Sequence, residues 1–129
     1  MNLREARILV VEDDAAMRQF VLTLLARLGV HRVKEATDGA AGLTVARNFE
    51  PDLVLSDIHM QPMDGLEFVR QLRAHPSAAL RNVPVLMMTA DTTPATLKNS
   101  IKHGVSAYIV KPPLLVPLRT KLEQALKSR

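Results

Sequence analysis

Cysteine and tryptophan are absent from this chain of 129 residues, and aromatic side chains make up only 3% of it. Without cysteine there is no disulfide framework, no thiolate metal site and no sulfur nucleophile, which fits a reducing compartment. The scarcity of aromatic rings, with lysines and arginines scattered rather than clustered, argues against a nucleic-acid surface despite a net charge of +4. Long apolar runs are missing too. The N-terminal MNLREARILVVEDD sets charges on both sides of a short apolar stretch, so neither a signal peptide nor a membrane span is read, and a cytoplasmic location is expected. What is present, at 47% hydrophobic residues, suffices for one domain with a packed core.

Short apolar runs alternate with amphipathic stretches. Arg7 to Val11 reads as a strand buried on both faces. Met17, Phe20, Val21, Leu24, Leu25 and Leu28 then recur at helical spacing, and Gly29 follows where a helix cap wants a residue free to adopt positive φ. A strand over Arg32 to Ala36 precedes a helix that opens at Asp38-Gly39 and runs to about Asn48. Leu53 to Ser56 is the third strand, Gly65 to Ala74 a helix ended by Pro76, and Val83 to Met88 the fourth strand. Thr93-Pro94 has the form of a cap followed by proline at the first helical position. Tyr108 to Val110 is the fifth strand, and Leu115, Leu118, Leu122 and Leu126 mark a last helix. Such alternation predicts right-handed crossovers, a parallel sheet with helices on both faces, and ligands outside the carboxyl ends of the strands.

Those strand ends carry the distinctive polar groups. The first ends in Glu12, Asp13 and Asp14, the third in Asp57, the fourth in Thr89 and the fifth in Lys111. Singly, capping and turn chemistry explain each of them. Together they place carboxylates, a hydroxyl and an amine on one edge, as a phosphate and metal site requires. Asp14 is assigned to cap the first helix. The six methionines read as packing, and His31, His75 and His103 as helix-end residues.

Taken in order, VVEDD, LSD followed by Met, Pro and MDG, LMMTA, and AYIVKP resemble the receiver domain of two-component response regulators. The resemblance spans essentially the whole chain, so residues 1–129 are expected to form a single receiver domain of the chemotaxis-regulator type. It implies a flavodoxin-like α/β fold: a doubly wound five-stranded parallel sheet in the order 2-1-3-4-5, with five helices on both faces. Asp57 would be the phosphoryl acceptor, served by Thr89 and Lys111. The family's metal is held by Asp13 and Asp57 directly, by Glu12 mostly through water, and by the backbone carbonyl of His59. Two carboxylates about 5 Å apart repel by roughly 3 kcal/mol at an effective dielectric of 20, so the cluster needs a cation. With only oxygen ligands on offer, Mg²⁺ is expected. Thr89 and Tyr108 would form the switch pair, a cis Lys111-Pro112 bond is common in the family, and the fourth helix, fifth strand and fifth helix form the output surface. The expected partners are a histidine kinase or phosphotransfer protein upstream and a protein target downstream, with no membrane or direct nucleic-acid contact, for a monomer or weak dimer.

The chain departs from the family pattern in places. Proline usually follows methionine directly after the acceptor, whereas here Gln61 intervenes before Pro62; Pro113 stands where a bulky apolar residue is common. His59 and Asp91 are expected to tune the lifetime of the acyl phosphate. Three classes of function stay open: a phosphorylation-controlled switch without an output domain; an aspartyl-phosphate phosphatase, which would want a second acid where His59 stands; and an interaction module that ignores phosphate. The first is not a conventional enzyme, although it would catalyse its own phosphorylation and dephosphorylation.

Overall fold

Aliphatic runs bounded by charge form the strands: β1 (Arg7–Val11), β2 (Arg32–Ala36), β3 (Leu53–Asp57), β4 (Val85–Thr89) and β5 (Ala107–Val110). In the computed structural model, which describes residues 1–127, they make one parallel sheet in the order β2-β1-β3-β4-β5. Charged Arg32, Lys34 and Glu35 are exposed on β2, as suits an edge strand.

Alternate residues of the inner strands feed two separate cores, following the two-residue period of a strand. Ile8, Val10, Leu53, Leu55, Leu86 and Met88 pack against α1 (Ala15–Arg27) and α6 (Leu115–Lys127). Leu9, Val11, Val54, Val85 and Met87 face the opposite way, toward Leu43 and Ala46 of α2 (Gly39–Phe49) and Phe68, Val69 and Leu72 of α3 (Gly65–Arg73). The doubly wound architecture and the strand order follow the sequence expectation. No helix among the described residues is long and apolar enough to cross a membrane.

Helix starts are specified by short acceptor side chains. Asp14, Asp38 and Asp64 accept hydrogen bonds from the amides of Met17, Ala41 and Glu67 at the starts of α1, α2 and α3. Thr93 does the same for Thr96 in α5 (Pro94–Lys102). After α1, Gly29 takes φ of +86°, in the left-handed region that favours glycine.

Two expectations need correction. Five helices were expected and six are found among the described residues, the extra one being α4 (Ala78–Arg81). This single turn has one buried residue, Leu80, and Ser77 before it makes no side-chain cap, so neither periodicity nor capping chemistry signals it. Phe20, placed on the core stripe of α1 by spacing, is 42% exposed. It lies at the margin of the stripe, whose centre is filled by Val21, Leu24 and Leu25. Strand limits also shift: Asp57 and Thr89 are the last residues of β3 and β4, and β4 begins at Val85, after Pro84.

Arg73, at the end of α3, fastens the far side of the fold. Its guanidinium donates to the carbonyls of Val83 at 2.7 Å, Arg81 at 3.1 Å and Gly104 at 2.9 Å. It thereby ties α3 to the entry of β4 and to the turn that leaves α5. Replacing Arg73 with alanine hands the exposed carbonyls to water but leaves the part-buried Val83 carbonyl without its charged donor, at a cost of about 2 kcal/mol. Urea denaturation should show that loss, and Arg73→Lys should recover less than half, because an ammonium cannot reproduce the planar fork.

Candidate phosphoacceptor and metal site

The register of the sheet brings the site together. Val11 pairs with Ser56, Asp57 with Met88, and Thr89 with Val110, so Glu12, Asp57, Thr89 and Lys111 all emerge at the C-terminal edge. This edge is where strand order reverses around β1 and β3, the ligand-binding crevice of open α/β sheets.

Glu12 and Asp57 are buried there, at 0% and 6% exposure, while Asp13 is open to solvent. One carboxylate oxygen from each of the three lies within 4.8 Å of the others. Lys111 Nζ lies 2.7 Å from Glu12 Oε1 and 3.1 Å from Asp57 Oδ1, meeting the two buried acids with one positive charge. Asp57 Oδ1 also accepts from the amide of Ile58 at 2.8 Å, which fixes the carboxylate's rotation. Burial pushes the Glu12 carboxyl up to about 7, with the Asp57 charge adding to the rise and Lys111 and the Asp14 amide opposing it. The Lys111 ammonium titrates above its ordinary range: its desolvation is outweighed by hydrogen bonds and charges of Glu12 and Asp57.

These residues fit a divalent cation. Glu12 Oε1 is fully buried and is met by the Lys111 ammonium at 2.7 Å, a single positive charge shared with buried Asp57, so the cluster stays short of positive charge. The donors are all carboxylate oxygens, and exposed Asp13 opens the cluster to solvent on one side. A hard cation that keeps part of its water shell matches such a set.

Asp14 caps α1, as expected, and its amide donates to Glu12 Oε2 at 3.2 Å. Thr89 reaches the edge, but its hydroxyl is turned to the β4–α5 loop. It accepts from the Asp91 amide at 2.9 Å and donates to the Asp91 carbonyl at 3.1 Å. Asp91 directs its carboxylate at the start of α5, accepting from Thr96 Oγ1 at 2.7 Å and the Thr93 amide at 3.0 Å. Those bonds, Thr96 foremost, hold its carboxyl below the usual range, with a smaller contribution from nearby His59. His59 is exposed. Tyr108 is half-buried and donates its hydroxyl to the Leu97 carbonyl of α5. The Lys111-Pro112 bond is cis, and so is Gln61-Pro62 in the altered loop. Pro113, where a bulky apolar residue is common in the family, is buried.

Sequence reasoning missed Gly65. A β-carbon there would lie 2.1 Å from the carbonyl oxygen of Asp57, and the Gly65 amide donates to the Ile58 carbonyl at 2.7 Å. The start of α3 thus lies directly against the backbone that carries Asp57. A signal existed: Asp64 already caps α3, so a glycine immediately after it serves close approach rather than helix initiation.

The response regulator receiver domain model matches residues 8–123, and the chain belongs to that family. It is similar to the chemotaxis protein CheY-3 of Vibrio cholerae, with 34% identity over 121 residues, 94% of this chain and 92% of that protein. Among solved structures, the chemotaxis protein CheY4 of Vibrio cholerae superposes with a TM-score of 0.85 at 31% identity, covering 93% of this chain and 98% of that one. The receiver domain of the sensor histidine kinase PA1611 from Pseudomonas aeruginosa, which holds a magnesium ion in its active-site cleft, gives a TM-score of 0.85 at 27% identity, covering 95% and 98%.

Gly65→Ala should therefore displace Asp57 rather than merely stiffen a loop. Overpacking of this kind costs about 1–3 kcal/mol. Urea denaturation is expected to show that loss, and the variant's Mg²⁺ affinity, read by titration calorimetry, should fall with it.

Proposed function

We propose that the chain is a phosphorylation-activated signalling switch that accepts a phosphoryl group on Asp57 from the phosphohistidine of a histidine kinase or phosphotransfer protein. The observation that carries this reading is the buried Asp57 carboxylate, facing Lys111 and grouped with Glu12 and Asp13 at the sheet edge. In the transfer an Asp57 oxygen attacks phosphorus and the phosphorus–nitrogen bond to the donor breaks. The imidazole leaves, taking up a proton. Asp13, Asp57 and the His59 carbonyl would hold Mg²⁺, with Glu12 acting through water. When bound, the ion supplies positive charge against the phosphoryl oxygens.

The phosphoryl group carries roughly 1.5 to 2 negative charges, in place of the one on the carboxylate, and brings three acceptor oxygens. Lys111 meets it as a point charge. Thr89 meets it as a donor, for which its hydroxyl must leave the Asp91 carbonyl it now binds. That exchange disturbs the loop leading into α5, where Tyr108 is tethered to Leu97, and so carries the event to the face made by α5, β5 and α6. A groove of about 610 Å³ lies on that face, lined by Tyr108, Val110, Pro112, Leu114, Pro117 and Lys121, with Val110 and Leu114 largely exposed. A downstream protein would dock there. Shifting such a switch from mostly off to mostly on takes about 5.5 kcal/mol of differential interaction.

Incubation with Mg²⁺ and acetyl phosphate should add the mass of one phosphoryl group to the intact protein, and Asp57→Asn or EDTA should abolish the addition. Uptake by the asparagine variant at an unchanged rate on the same peptide would refute the reading. His59 and Asp91 flank the site and should set how long the acyl phosphate survives. Replacing both with alanine is expected to change its hydrolysis rate about fivefold, equivalent to roughly 1 kcal/mol of barrier. An unchanged decay would remove them from that role.

A further inference from the structure

Arg18 is out of place by the rules of helix electrostatics. It sits in the opening turns of α1, whose first turn has no acidic residue, where the positive end of the helix dipole disfavours a cation. Its side chain is nonetheless ordered by two partners. Nη1 donates to the main-chain carbonyl of Glu12 at 2.9 Å, and Nε pairs with Glu35 Oε1 on edge strand β2, also at 2.9 Å. The Glu12 amide is held from the same strand, donating to the Ala36 carbonyl at 3.0 Å. Both polar groups of the Glu12 backbone are thus fixed, one by β2 directly and one by β2 through Arg18.

From this bridge we infer that Arg18, oriented by Glu35, is a positioning residue for the metal site, setting the path of the Glu12–Asp13 backbone and hence the placement of both carboxylates. The inference rests on the reading of Glu12, Asp13 and Asp57 as the Mg²⁺ site. Charge alone makes the opposite demand. A guanidinium near an acidic cluster repels a divalent cation, so deleting it would tighten binding if geometry were indifferent. Positioning also discriminates between metals, because Mg²⁺ requires near-octahedral geometry whereas Ca²⁺ accepts irregular oxygen shells.

Titration calorimetry on the full chain decides the matter. Arg18→Ala should weaken Mg²⁺ binding about tenfold, the lower end of what partners of metal ligands contribute, and should weaken Ca²⁺ binding less than about threefold. Arg18→Lys, which keeps the charge but cannot span both partners, should restore little. Glu35→Ala, an exposed substitution that tests the same bridge should Arg18→Ala fail to fold, should weaken Mg²⁺ binding in the same direction. In EDTA, amide exchange at Asp14, whose N–H is held by Glu12 Oε2, should quicken in Arg18→Ala while the amides of β3 keep their protection. Unchanged or tighter Mg²⁺ binding, equal loss for both metals, full rescue by lysine, or a uniform rise in exchange would overturn the inference. A wild-type chain that binds no Mg²⁺ would overturn both this inference and the metal-site reading beneath it, whereas wild-type binding unaffected by either variant overturns the bridge alone.

Discussion

Two carboxylates, Glu12 and Asp57, are buried at the ends of adjacent strands, and Lys111 Nζ stands 2.7 and 3.1 Å from them. At the roughly 5 Å expected between such acids, repulsion of a few kcal/mol would otherwise push the strand ends apart. The ammonium comes from the end of β5, two strands from β3, so the whole sheet must be in register for it to arrive. Site and fold are in this sense one constraint: an edge that concentrates charge needs a rigid, fully covered sheet to hold the charges where they balance.

That rigidity comes from burial on both faces. The strands send alternate side chains into a core shared with α1 and α6 and a second shared with α2 and α3. The loops at the C-terminal edge are then positioned by polar devices rather than by packing. Aspartates cap α1, α2 and α3, Gly65 lets α3 begin against the Asp57 carbonyl, and Arg18 binds the Glu12 carbonyl. α5 differs. Its single buried residue is Ser100, and Ile101 is 64% exposed, so it is attached chiefly through Thr89–Asp91, Tyr108–Leu97 and Arg73–Gly104. A helix secured by hydrogen bonds at its ends and middle is easier to displace than one anchored in a core.

The architecture and the acidic edge could be read from the chain because both rest on local patterns. Strand runs such as RILVV and LVLSD are bounded by charge, and the polar residues stand where those runs stop. What escaped depends on distance in sequence. Gly65 matters because of a carbonyl eight positions earlier, Arg73 because of a turn at Gly104, and Arg18 because of Glu35 on a neighbouring strand. No period or spacing encodes such meetings; only the folded chain brings them about. Phe20 and the turn at Ala78–Arg81 failed for a different reason, since a period of 3.6 residues leaves the edge of an apolar stripe, and any single turn, undetermined.

The Arg73 anchor grips main-chain oxygen at Arg81, Val83 and Gly104. Every amino acid offers that atom, so the fastening itself does not depend on which side chains Arg81 and Val83 carry, although buried Val83 is held by the core for its own reasons. Gly104 is the exception, because its φ of +90° strains any other residue and a β-carbon there would stand only 3.1 Å from Arg73 Nε, shifting the guanidinium that makes the grip. Nor can acid release the grip: guanidinium stays charged and carbonyls do not titrate. The lower end of α5 is therefore moored by a device blind to pH and nearly blind to neighbouring sequence, while its upper end hangs from the chemistry at the rim.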